Sequence, residues 1–223
     1  MAARSGSTYP VFLKLAGVPV LVVGGGVVAA RKVRGLASAG ARITIVAPQG
    51  ALVLAKRKSV ILKRRRYRSS DLRGMRLVVA ATDDRALNTR IATECRARSI
   101  WCNVAAPPEA GDVILPAVVR RGRLQIAMST GGASAAASKA LREELERHLD
   151  PAWGVFLALL EARRERIKRR VTDPARRRRL LQDLGAARWV RRIRERGREA
   201  VAAELDAQID RVARADRLSM EKA

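Results

Sequence analysis

Hydrophobic positions along this chain change rhythm near residue 116. Before that point, short aliphatic runs bounded by Gly, Pro or charged residues alternate with stretches whose apolar positions recur at helical spacing. The runs predict strands at Val20 to Val23, Arg42 to Pro48, Val60 to Tyr67, Leu77 to Ala81 and Ile100 to Val104. The intervening pattern predicts helices over Arg31 to Ala39, with Val33, Leu36 and Ala37 on one face, and over Asn88 to Arg98. Strands and helices in alternation argue for an α/β fold, a Rossmann-like doubly wound parallel sheet with its ligand beyond the carboxyl ends of the strands. After Pro116, Ala117 to Val119 and Leu124 to Met128 read as short elements around the turn Arg121-Gly122. A helix capped by Ser134 then runs to His148. The remainder from Pro151 reads as about three helices, divided by Asp173-Pro174 and Gly185. The expected divisions are 1–115, 116–150 and a helical C-terminal domain over 151–223.

The first predicted strand carries the strongest chemical signal. Val20-Leu-Val-Val23 runs straight into Gly24-Gly25-Gly26, and Gly24, Gly26 and Ala29 stand at the spacing of the dinucleotide fingerprint. The three positions supply a tight turn, backbone approach to a pyrophosphate, and close helix packing. The helix that follows aims its free N–H groups at the phosphates, so the cofactor is expected over Gly24, Gly25, Gly26, Val27 and Val28. Pro48, Gln49, Thr82, Asp83, Asn103 and Val104, at the ends of three other strands, complete the expected cofactor rim. The second strand ends Val46-Ala47-Pro48-Gln49 without the acid that commonly holds an adenosine ribose, although Gln49 can still bond a ribose hydroxyl.

Composition narrows the partners. With 46 basic and 21 acidic residues in 223, the formal charge is +25, which calls for nucleic acid, an anionic surface or a strongly acidic small molecule, unless it is simply a solvated arginine-rich surface. Lys56 to Arg76 holds ten basic residues and one acid, yet Tyr67 is its only aromatic, a poor base-stacking platform; a charged edge strand is the plainer reading. Two cysteines exclude a disulfide framework and a four-thiolate zinc site. Cys95 and Cys102 read as buried structural thiols, and His148, the only histidine, as a helix-surface residue, so no metal site is expected. The N-terminus shows no signal-peptide core and no apolar run reaches about 18 residues, so the chain is expected in the cytoplasm.

Tyr9-Pro10, Val23-Gly24-Gly25-Gly26, Arg31-Lys32, Ala80-Ala81-Thr82-Asp83-Asp84 with Asn88, Cys102-Asn103-Val104, and Ser129-Thr130-Gly131-Gly132 occur in an order that resembles the precorrin-2 dehydrogenase module of siroheme synthases. That family includes enzymes doubling as sirohydrochlorin ferrochelatases, and the resemblance runs from about Tyr9 to Leu149. It implies NAD-dependent dehydrogenation of precorrin-2 to sirohydrochlorin. It also implies a homodimer, with residues 116–150 as the dimerisation segment and Leu141, Leu145 and Leu149 on one helix face. The family's polycarboxylate tetrapyrrole accounts for the basic charge without a specific nucleic acid or a membrane, since a positive cleft steers such a substrate. The Gly-rich turn Ser129, Thr130, Gly131 with Ser134 is the expected substrate-carboxylate site, an ordinary capped helix being the alternative.

One departure from the family matters. The aspartate usually found two residues after the Asn-Val pair is replaced by Ala106, which neither accepts a proton nor binds a metal. Asp112, matching another acid often seen in the family, becomes the candidate catalytic residue, with Glu109 behind it and a solvated loop carboxylate as the plain alternative for both. Dehydrogenation, resting on positioning and the cofactor, is expected to survive this loss better than iron insertion. The competing expectations are a catalytically silent dinucleotide or tetrapyrrole binder and, further behind, a basic nucleic-acid-binding protein.

Overall fold

The structure is a computed structural model that describes residues 8–50 and 59–220. The chain divides into two compact units, residues 1–115 and 116–223.

Five parallel strands form the sheet of the first unit: β1 (Pro19–Val23), β2 (Arg42–Val46), β3 (Val60–Lys63), β4 (Leu77–Ala80) and β5 (Trp101–Val104), in the order β3-β2-β1-β4-β5. The order reverses between β1 and β4, which places the topological switch point directly beyond Val23 and Ala80. Alternation along each strand fills both faces. Val20, Val22, Ile43, Ile45, Leu77 and Val79 pack under α1 (Val27–Ser38), whereas Leu21, Val23, Val78, Cys102 and Val104 pack with Ile91 and Cys95 of α2 (Arg85–Arg96). Complete burial of an aliphatic side chain stabilises by roughly 1.5–3 kcal/mol, so these central strands need no polar face. The helix α2 starts three residues before the predicted boundary because Asp84 caps it, its carboxylate accepting from the Leu87 N–H.

The third strand is shorter than predicted. It stops at Lys63, because Arg65 turns to make a two-pronged contact with Asp71, a carboxylate 6% exposed. The Arg65 guanidinium, opposed by burial, holds the Asp71 carboxyl below the usual carboxylate range. The strand is the sheet edge, as the charge-rich reading anticipated; the start of the basic run, Lys56 to Lys58, lies outside the described residues. After β5 the chain doubles back along the other edge, where the Asp112 and Val113 N–H groups both donate to the Cys102 carbonyl. Gly111 permits this approach, since a Cβ there would lie 2.9 Å from Cys102 O and Val104 N.

The second unit joins the antiparallel pair β6 (Ala117–Arg121) and β7 (Leu124–Met128) to four helices: α3 (Ala135–His148), α4 (Ala152–Arg170), α5 (Pro174–Leu184) and α6 (Arg188–Met220), the last broken at Gly197. Its core gathers Phe156, Leu159, Ile167, Leu180, Leu184, Trp189, Leu205 and Ile209. Charged residues clamp α4 to α6. Arg163, 9% exposed, grips both oxygens of Asp206 and the carbonyls of Leu159 and Ala202, while Arg166 bridges Asp206 and Asp210. Asp216, also buried, accepts from Thr172 and from the Asp173 N–H ahead of α5. Much of the arginine in this region is therefore structural.

Candidate nucleotide-binding site

Three chain segments converge at the carboxyl ends of β1, β2 and β4, and glycine makes the convergence possible. A Cβ on Gly24, whose φ is +122°, would lie 2.2 Å from the Ala81 carbonyl oxygen; one on Gly25 would lie 2.1 Å from Gln49 O. These two glycines are demanded by the protein's own packing. Gly26 differs: its φ of −79° suits any residue, and a Cβ there meets nothing within 4 Å. It is the N-cap of α1, beside Val27 and Val28, which are 85% and 42% exposed. An open glycine, two exposed valines and the unpaired N–H groups of a helix N-terminus form the cradle a pyrophosphate needs. Ala29, 1% exposed, gives the close helix–sheet contact expected of the fingerprint's third position.

Around this cradle, Pro48 and Gln49 sit exposed beyond β2, with the Gly50 backbone packed on Gly25. Thr82 and the exposed Asp83 follow β4, and Asn103 and Val104 lie buried at the end of β5. The geometry thus brings the predicted cofactor residues of four strands to one edge of the sheet.

Two side chains that the sequence reading did not place in the site organise it. Asn88, fully buried, accepts from the Thr82 N–H and hydroxyl through Oδ1, and donates through Nδ2 to the carbonyls of Thr82 and Ala106. It ties the turn after β4 to the loop after β5. Lys32 reaches from α1 to β5, its Nζ 2.7 Å from Asn103 Oδ1, while Asn103 Nδ2 donates to the Val113 carbonyl at 2.7 Å. Burial, with Arg31 adding like-charge repulsion, pulls the Lys32 ammonium below its usual range. Both residues belong to the family motifs, but the partner of Lys32 lies 71 residues away and Asn88 reaches Ala106 across 18.

Asp112 occupies a different position from these groups. It lies level with Cys102 in mid-strand, and its carboxylate meets Arg96, from the last turn of α2, at 3.2 Å. Glu109 is exposed in the short turn before it. Cys95 and Cys102 are both fully buried and unbridged. In the second unit, Ser134 caps α3 by accepting from the Ala137 N–H, and the Thr130 hydroxyl is engaged with Ser134 and Ser138. Ser129 and Gly131 remain exposed at the turn. His148 lies on the surface against Glu144. Among the described residues no three metal-ligating side chains cluster, and no helix is long and apolar enough to cross a membrane.

A parallel sheet with the 3-2-1-4-5 order and a glycine cradle at its switch point defines a protein of the dinucleotide-binding Rossmann class. Residues 11–117 match a family described as putative NAD(P)-binding, and residues 121–148 match the sirohaem biosynthesis protein central family. The chain is 38% identical over 217 residues to a siroheme synthase of Methylococcus capsulatus, covering 96% of this chain and 43% of that protein. It is 42% identical over 178 residues to a siroheme synthase of Ectopseudomonas mendocina, covering 78% and 38% respectively. The chain therefore spans about two fifths of the length of these curated relatives. A solved structure of SirC, a precorrin-2 dehydrogenase, superposes with a TM-score of 0.73 at 30% identity, over 92% of this chain and all of that one. The chain belongs to the precorrin-2 dehydrogenase family.

Proposed function

We propose that this chain oxidises precorrin-2 to sirohydrochlorin with NAD as the hydrogen acceptor. The observation that carries the reading is the open Gly26 cradle at the switch point, within a chain of this family. The nicotinamide, when bound, supplies the acceptor chemistry; the protein's own task is to hold both reactants in register and exclude competing geometries. Gly26 and the first turn of α1 hold the pyrophosphate, and Gln49 accepts or donates to the adenosine ribose where an acid is missing. Asn88 ties Thr82 to the Ala106 loop and so fixes the chain that follows β4 against the chain that follows β5. Asp112 is proposed as the remaining acid, although the chain carries it back along β5 to Arg96, and iron insertion is proposed to be weak because Ala106 offers neither base nor ligand.

The Ser129–Ser134 turn is proposed to take a substrate carboxylate, its exposed Gly131 and Ser129 leaving room for one. A homodimer is proposed through residues 116–150. Helix α3 has no buried residue in the single chain, and β6 with β7 is a two-stranded pair, too small to be stable by itself. The reducing cytoplasm is the proposed setting, in keeping with two unbridged thiols. No specific nucleic acid or membrane surface is required, because a tetrapyrrole polycarboxylate suits the positive charge.

Anaerobic incubation with precorrin-2 and NAD, followed by absorption spectra, tests the reading. Appearance of the sirohydrochlorin spectrum with stoichiometric NADH supports it. Binding of both ligands without turnover would instead make the chain a silent binder, the alternative that Ala106 raises.

A further inference from the structure

Lys32 has a role the glycine cradle does not explain. It lies five residues past Val27, about 7.5 Å further along α1, and its side chain points away from the pyrophosphate position toward β5. Its partner Asn103 pairs in register with Val79 of β4, one residue below the carboxyl ends of the strands and on the α1 face of the sheet. The ammonium therefore stands on the β4–β5 side of the switch point, opposite Gln49 and the β2 end. With the adenosine ribose proposed at Gln49, this is the half left for the nicotinamide and the substrate.

The electrostatics of the position are unusual for this chain. Arg65 and Arg163, also partly buried, each face a carboxylate at close range. Lys32 is half-buried, bonded to one neutral amide oxygen, and the only charged neighbour acting on it among the described residues is Arg31, of the same sign. An ammonium has three donors, and the Asn103 contact uses one. Asn103 cannot turn away, because its amide nitrogen is committed to the Val113 carbonyl and its oxygen must face Lys32. A desolvated cation held rigidly without a counter-ion costs stability unless an anion arrives. An oxidised nicotinamide, itself cationic, is the wrong ligand; a carboxylate is the right one.

We propose that Lys32, oriented by Asn103, anchors a peripheral carboxylate of the polycarboxylate substrate and so registers the macrocycle against the nicotinamide. The inference rests on the precorrin-2 reading for the identity of that substrate. Lys32 is a positioning residue: it forms a charge-assisted pair on binding and takes no part in bond breaking.

Lys32→Gln keeps a donor for Asn103 but removes the charge, and Lys32→Arg keeps the charge. Sirohydrochlorin binding by fluorescence quenching, NAD and NADH binding by calorimetry, and thermal melting are measured on all three proteins. The expected result is a folded Lys32→Gln with parental NAD affinity, roughly 10- to 100-fold weaker sirohydrochlorin binding, and a gap from the parent that narrows as salt is raised. Lys32→Arg should lie within a few-fold of the parent. Parental sirohydrochlorin affinity in Lys32→Gln overturns the proposal. So does a loss confined to NAD and NADH, which would assign the ammonium to the cofactor. If the parent binds sirohydrochlorin through Lys32 but does not oxidise precorrin-2, the anchor stands and the proposed activity falls. If it oxidises precorrin-2 and Lys32→Gln leaves both KM and binding unchanged, the anchor falls and the activity stands.

Discussion

Gly26→Asp should separate folding from cofactor binding in a single substitution. The Gly26 backbone is in an extended conformation any residue adopts, and its Cβ direction opens onto space free of protein atoms within 4 Å. Asp is also a better N-cap than Gly, so α1 should gain a few tenths of a kcal/mol, which for a chain of this size moves Tm upward by about 1 °C. Binding should move the other way. A carboxylate about 4 Å from a phosphate repels it by about 4 kcal/mol at the effective dielectric of a partly exposed site, and each 1.4 kcal/mol is tenfold, so NAD affinity should fall by about 10³. Gly24→Ala is the contrasting change. There the positive φ and an Ala81 oxygen 2.2 Å from the new Cβ force the turn to move, at a cost of about 3 kcal/mol or more. Thermal melts and calorimetric titration with NAD and NADH check both variants. Parental NAD affinity in a folded Gly26→Asp would refute the proposed site, and a Gly24→Ala melting like the parent would refute the packing argument.

The remaining predictions concern chemistry, acid stability and assembly. Ala106→Asp should raise iron insertion, and Asp112→Asn should slow the parent by about 10²- to 10⁴-fold while harming the Ala106→Asp variant less. Measuring dehydrogenation and chelation in all four combinations reads the coupling, and robust parental chelation indifferent to both changes would place the chemistry in another loop. Asp216 is held below the usual carboxylate range by hydrogen bonds from Thr172, against opposing burial, and further by the Asp173 N–H and Arg176. Its contribution is therefore present above the unfolded carboxyl pKa of about 3.9 and lost as pH falls through the lower folded value; Asp216→Asn should flatten the acid limb of a stability–pH curve, and an unchanged limb would contradict this. Leu141, 45% exposed on α3, should lie at the proposed subunit contact, so Leu141→Glu should convert a dimer to a monomer in sedimentation; a monomeric parent would overturn the assembly.

Much of the chain's secondary structure is legible in its sequence, because the signals are local. An aliphatic run ending in Gly24-Gly25-Gly26, helical spacing through Leu36, and Ser134 ahead of α3 each act within a few residues, and the strand, the helix and the cap all form there, α1 beginning at Val27, ahead of the apolar positions that announced it. Boundaries moved where a distant group intervened: Arg65 left the predicted third strand to meet Asp71. What tertiary structure alone decided is which glycine faces a ligand and which polar groups meet. Gly24 and Gly26 are equivalent letters in a motif, yet one is crowded by Ala81 and the other opens outward, a difference made by the return of β4 beside β1. Asp112 shares a loop with Ala106 in sequence, but the chain doubles back along β5 and carries it to Arg96. Lys32 and Asn103 stand 71 residues apart, and only the crossing of α1 over the sheet leaves an ammonium beside an amide with no acid acting on it among the described residues. Local propensity is written along the chain; the charge environment of a site is set by segments folding back on one another, and no run of neighbours records it.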